Sequence, residues 1–131
     1  MKKQFIIDTL KPYFLDSTLC AVEGNTCKYL TKVGKTCAIG RHLDPTHPNY
    51  RKVSHTRGDV FILHGRYNLN NVLKSEAKYI LSIDEWRAVQ VIHDNLADSF
   101  SNIPDIVFSI DALEKITHTD LSELKSLLIN N

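Results

Sequence analysis

Cys27 and Cys37 lie ten positions apart on either side of a Val-Gly turn, in TCKYLTKVGKTCAIG, and His93 with Asp94 follows far downstream in VQVIHD. A thiol becomes a nucleophile when a neighbouring imidazole takes its proton. It becomes a metal ligand when further donors converge on the same ion. Cys37 or Cys27 with His93 is therefore the candidate catalytic pair, and the same three residues are the candidate metal ligands. Counting Cys20, the spacing C-x6-C-x9-C contains no CxxC bite, so zinc would have to be held by donors from distant parts of the chain. Two readings need no such chemistry: a disulfide across the hairpin, or small apolar residues in the core, where unpaired cysteine commonly lies. The core reading is the expectation, with no cofactor; zinc is the alternative. A lone histidine on an apolar helix seam is likewise more often packed than catalytic.

A second group of candidates binds rather than reacts. Residues 41–66 hold four of the six histidines and five Lys/Arg against two acids. Arg41, Arg51, Lys52, His55 and Arg57 can surround a phosphate or carboxylate, and Tyr50 offers an aromatic face on which a base can stack. Neither GxGxxG nor GxxxxGK[ST] occurs, so a standard phosphate cradle is absent. A net charge of +1 disfavours general duplex binding relative to a local site for one small anion. The two halves differ, however: residues 1–66 carry eleven Lys/Arg against five acids, and residues 67–131 five against ten. If that asymmetry survives folding, the surface is dipolar.

The elements that must position these residues are unevenly marked. Residues 3–11 read as a helix carrying Phe5, Ile6 and Leu10, ending or kinking at Pro12. STLCAVEG favours a strand closed by a Gly24-Asn25 turn. TCKYLT and KTCAIG then flank the loop Lys32-Val33-Gly34 as a hairpin. With Thr31 opposite Lys35, Tyr29 faces Cys37 and Cys27 faces Ile39, all four on one core-facing side. Residues 40–58 read as a long irregular loop, DVFILHG as a buried strand and LNNVLKSEAKYIL as a modest helix. Ser82 with Glu85 is a capping box opening a helix to about Phe100, with Trp86, Val89, His93, Leu96 and Phe100 on one seam. DIVFSIDALEKI packs as helix or strand, and Asp120 with Glu123 starts a short helix bearing Leu121, Leu124 and Leu128.

The expected architecture is α+β, a small antiparallel sheet or hairpin near the N-terminus packed by several helices. One domain spans 1–131, with residues 1–103 as hairpin and capped-helix core and 104–131 as a helical extension. A chain of 131 residues, 43% hydrophobic and 24% charged, buries a core without staples. No apolar run is long enough to cross a bilayer. MKKQFIIDTLKP is basic and then apolar, but Asp8 and Lys11 interrupt it and no small-residue cleavage site follows. With three cysteines, reduced thiols in a cytoplasmic protein are expected.

The residues Cys27, Tyr29, Gly34, Cys37, Ala38, Ile39 and Gly40, followed by Gln90, His93 and Asp94, resemble a set of small uncharacterised bacteriophage proteins. Those join a CxY…GxxCA[IV]G hairpin to a later QxxHD helix. The resemblance covers about residues 20–98. Where many members continue with Cys-Leu-Ile-Pro-Asp, this chain has Arg41-His42-Leu43-Asp44-Pro45 and so lacks a third thiol there. The resemblance implies a phage setting and one structural unit holding hairpin and histidine helix, but no activity. The resulting expectation is a non-enzymatic, cytoplasmic binding protein, possible as a homo-oligomer, that captures a host protein or a small anionic, nucleotide-like ligand and so serves host takeover or anti-defence. A Cys/His-dependent hydrolase or transferase and a virion or assembly component are the alternatives.

Overall fold

The computed structural model describes residues 1–23, 26–56, 59–98 and 101–130, with backbone only at Glu23, Thr26, Cys27, Ile129 and Asn130. Seven α-helices are present among these residues: α1 Lys2–Leu15, α2 Tyr50–Ser54, α3 Val60–Tyr67, α4 Leu69–Val72, α5 Ile83–Ala97, α6 Ile103–Thr117 and α7 Ser122–Asn130. The only extended pairing beyond isolated bridges, among the described residues, joins β1 Val22–Glu23 to β2 Thr26–Cys27, two residues each. Such a ladder forms no layer of its own. The fold is all-α, and the expected α+β architecture with a small sheet is wrong.

Two segments account for the difference. DVFILHG, expected as a strand, is helical because Asp59 caps it: one carboxylate oxygen accepts from the Phe61 and Ile62 amides at 3.0 and 3.3 Å. Val60 and Leu63 then face the core one turn apart, while Phe61 and Ile62 stay exposed. The hairpin, in turn, closes but does not extend. Its turn has the expected pairing, with the Thr31 amide donating to the Lys35 carbonyl at 2.9 Å and the Cys37 amide to the Tyr29 carbonyl at 3.4 Å. Beyond Cys37, however, the chain winds into a 3₁₀ turn at Gly40–His42, so Ile39 never pairs; Cys27 lies opposite Val22 instead. Gly40 is required here: a Cβ on it would meet the Tyr29 carbonyl oxygen at 1.9 Å.

α5 is the hub, packing against α1, α3 and α6, while α7 returns to α1. Its capping box is complete: Ser82 Oγ accepts from the Glu85 amide at 3.1 Å and Glu85 accepts from the Ser82 amide at 2.8 Å. Trp86, Val89 and His93 are buried on the expected seam, Leu96 is half-buried, and Phe100 lies outside the described residues. α6 opens on a second capping box, Asn102 with Asp105, and Ile110 and Leu113 join Leu121 and Leu124 in the core. Lys2 pairs with Glu85 at 2.8 Å and Lys11 with Glu123 at 3.6 Å, so the basic and acidic halves meet across α1. Among the described residues no helix is long and apolar enough to cross a membrane.

Pro12 does not end α1, which runs three residues further. A proline there has no N–H for the Asp8 carbonyl, four residues back. Arg41 supplies the missing donor: its Nη1 lies 3.3 Å from the Asp8 oxygen and 2.8 Å from that of Thr9. The segment after the hairpin is thereby fastened to α1. It is fastened again to the end of α4, where the Asp44 amide donates to Val72 and the Lys74 amide to His42.

Candidate functional site

The candidate catalytic residues converge on the core, not on the surface. His93 is fully buried on α5 and Cys37 is 1% exposed. Nδ1 of His93 lies 2.9 Å from an Asp94 carboxylate oxygen, and Gln90 Nε2 lies 3.3 Å from Nδ1 and 2.9 Å from the same oxygen. The carboxylate beside Nδ1 orients the ring, whose other nitrogen is Nε2. That Nε2 is buried and has no hydrogen-bond partner among the described residues. The Tyr13 ring meets the imidazole edge-on, with centroids 4.8 Å apart. Cys20 Sγ lies 3.8 Å from the His93 carbonyl oxygen, and Cys37 Sγ accepts from the Gly40 amide at 3.2 Å. Gln90 reaches the hairpin too, its Oε1 being 3.4 Å from the Ile39 amide.

Among the residues carrying the phage resemblance, Gln90 on α5 thus meets Ile39 in the turn, Cys37 and Gly40 bond within the turn, and His93 and Asp94 bond to Gln90 within α5. The side chain of Cys27 lies outside the described residues. An oriented imidazole and a thiol are the parts of a general base and a nucleophile, but the His93 ring and Cys37 are both enclosed in the core. Cys20 and Cys37 are both reduced and buried. Among the described residues no three His, Cys, Asp or Glu side chains are grouped so as to hold a metal ion.

The candidate ligand-binding residues lie in two places. Arg51, Lys52 and His55 are exposed on or just after the single-turn helix α2, and Tyr50 is half-buried at its start. The expected loop is therefore partly helical and presents these cations at the surface. Arg57 lies outside the described residues. Arg41 stands apart from these, fixed against α1.

Arg41 borders a cleft that sequence reasoning missed. It measures 470 Å³ and lies between Pro12 and Tyr13 of α1, Leu19, and the turn Val33–Thr36. Its charged lining residues, Lys35 and Arg41, are both cationic. The turn is rigidly built: Thr31 Oγ1 accepts from the Lys35 amide at 3.0 Å, and Gly34 takes φ +88°, where a side chain would be strained. The Tyr13 hydroxyl donates to the Thr36 carbonyl at 2.7 Å. Burial pushes that phenol up to about 12, so it remains a donor at neutral pH. The signal present in the sequence was Lys35 in the turn together with the Arg41–Pro12 pairing. The latter joins residues 29 positions apart, which spacing alone does not reveal.

A second imidazole, that of the half-buried His42, lies against α1 and Trp86. Its ring centroid is 4.8 Å from Phe5 and 5.7 Å from Trp86, and its Nε2 lies 2.9 Å from Thr9 Oγ1. Burial, reinforced by Arg41 and Lys74, pushes its pKa down to about 4. The ring is therefore neutral at pH 7 and packs between Phe5 and Trp86.

No protein-family model matches the chain, and no curated protein or solved structure shows significant similarity to it.

Proposed function

We propose that this chain is a non-enzymatic binding protein that holds an anionic ligand with an apolar body in the cleft between α1 and the Thr31–Lys35 turn. One observation carries the reading: a 470 Å³ hollow walled by Pro12, Leu19 and Val33 whose charged lining residues are both cations. That volume falls in the range of about 300–1,000 Å³ typical of small-ligand sites. Arg41 Nη1 is committed to the α1 carbonyls, which orients the guanidinium and leaves Nη2 and Nε to meet a carboxylate or phosphate. Lys35 adds a second charge from the turn. In the setting that the phage resemblance implies, the ligand belongs to the host, and its capture interferes with host metabolism or defence.

Titration of ¹⁵N-labelled protein with phenyl phosphate tests this. Saturable amide shifts are expected at Tyr13, Gly34, Lys35, Thr36 and Arg41, and Lys35→Glu should abolish them. Shifts scattered over the surface, or unchanged by the substitution, would remove the cleft as the site.

The Cys–His alternative draws on the Asp94-oriented imidazole with its unpartnered Nε2. It requires Cys37 to meet solvent, so rapid alkylation of Cys37 by iodoacetamide in the native protein would favour it. The binding reading expects alkylation only on unfolding.

A further inference from the structure

We propose that the cationic cleft is one half of a groove for an extended peptide of a partner protein, one in which a short apolar stretch separates a basic from an acidic residue. The proposal rests on the reading above, since it assigns the ligand of that same cleft. A second hollow of 410 Å³ lies along the neighbouring flank of α1, bordered by Asp8, Lys11, Leu15 and Asp16. The two hollows share Pro12 and Leu19 as a common wall, so a ligand filling both crosses one apolar saddle.

Three large apolar side chains stand exposed around this saddle: Leu15 at 59%, Leu19 at 44% and Val33 at 80%. Scattered exposed aliphatics need no explanation, but three of them beside adjoining hollows form a patch that water solvates poorly. Charge then selects the occupant. On one flank stand Lys35 and Arg41. On the other stand Asp8 and Asp16, whose carboxylates accept from Gln4 and Thr18 and keep their charge, with Lys11 paired to Glu123 at 3.6 Å. An acidic ligand group is therefore drawn to the first flank and a basic one to the second, with apolar side chains between.

A small anion fills only the cationic half. A nucleic-acid strand would bring phosphates against Asp8 and Asp16. A peptide segment carries both charges and the apolar centre together. From Asp8 to Leu15 the helix rises ~10 Å at 1.5 Å per residue, which about three residues of extended chain span.

The experiment is selection of a random dodecapeptide library on the immobilised full chain, followed by fluorescence anisotropy of the enriched synthetic peptides. Enrichment of sequences with opposite charges flanking an apolar run is expected. Lys35→Glu and Leu15→Asp, both surface substitutions, should each weaken the selected peptide about tenfold or more, as loss of an anchor contact does. Replacing the peptide's acid by lysine should restore binding to the Lys35→Glu protein. Enriched peptides that bind the wild type and Lys35→Glu equally would overturn the proposal. If phenyl phosphate binds but no peptide is enriched, the groove falls while the anion cleft stands. If neither binds, both fall.

Discussion

Lowering the pH from 7.5 to 4.5 should cost this protein about 2.5 kcal/mol of stability through His42 alone. In the folded chain the ring is held beside Phe5 and Trp86, and burial, then Arg41 and Lys74, keep its pKa at about 4. In the unfolded chain it titrates at 6.5. As the pH falls below 6.5 the unfolded state takes up a proton that the folded state refuses, so stability declines until about pH 4, where the folded ring also protonates. At ~1.4 kcal/mol for each tenfold change in proton affinity, the loss is about 1.4 kcal/mol at pH 5.5 and about 2.5 kcal/mol at pH 4.5. The carboxyls of Glu85, Asp16, Asp44 and Asp120 are held below their ordinary values. They contribute stability that is lost at lower pH still, and they are common to wild type and variant. Urea denaturation at pH 7.5, 6.5, 5.5 and 4.5 should be compared between wild type and His42→Phe, which keeps a ring in the aromatic cluster and removes the titration. The absolute cost of losing the Thr9 contact does not vary with pH; the difference between the two curves does. Parallel curves, agreeing within about 0.5 kcal/mol across the series, would refute a neutral, desolvated His42.

Three further outcomes follow from the geometry. Gly40→Ala should destabilise by ~3 kcal/mol or more, because its Cβ would meet the Tyr29 carbonyl at 1.9 Å, whereas Gly65→Ala in α3, with nothing within 4 Å, should stabilise by about 0.5–1 kcal/mol; thermal denaturation of both decides. Arg41→Met should cost about 1–2 kcal/mol by removing the donor that replaces the missing Pro12 amide at Asp8 and the added bond to Thr9, and less in a Pro12→Ala background, where residue 12 regains the amide that bonds Asp8. An additive double-mutant cycle would show that the two residues do not compensate. Cys37→Ser should lower stability by about 1–3 kcal/mol, since it places a hydroxyl where a buried sulfur accepts from Gly40; unchanged stability would argue against a packing role.

What the sequence disclosed, it disclosed through local chemistry. The Ser82–Glu85 capping box and the 3–4 spacing of Trp86, Val89 and His93 located α5, because caps and periodicity act within a few residues. The turn at Lys32–Gly34 was legible for the same reason. DVFILHG was not, because a short apolar run is compatible with either a strand or a helix. Asp59 before it was the signal that tips the balance. The loss of the sheet was hidden further still: it depends on Gly40 closing onto Tyr29, a contact between residues eleven positions apart. Arg51, Lys52 and His55 were found as candidates but not as residues on or beside a single-turn helix. Lys35, by contrast, was passed over because its neighbour in the cleft is a helix distant in sequence.

The residues that look most chemical in this chain are those the fold encloses. At this centre the Gln90 amide joins the hairpin turn to the hub helix through the Ile39 amide, Cys37 holds the Gly40 amide and Asp94 orients the His93 ring, while Tyr13 packs edge-on against it. Buried polar groups must find partners, and groups able to do so at fixed geometry also specify one arrangement of turn and helix. A motif can therefore be rich in Cys, His and Asp because it must be folded in one way, without transforming any substrate. What this arrangement holds in place is the rim where Arg41, which donates to the α1 carbonyls beside Pro12, meets Lys35 across an apolar hollow, the rim on which the proposed function rests.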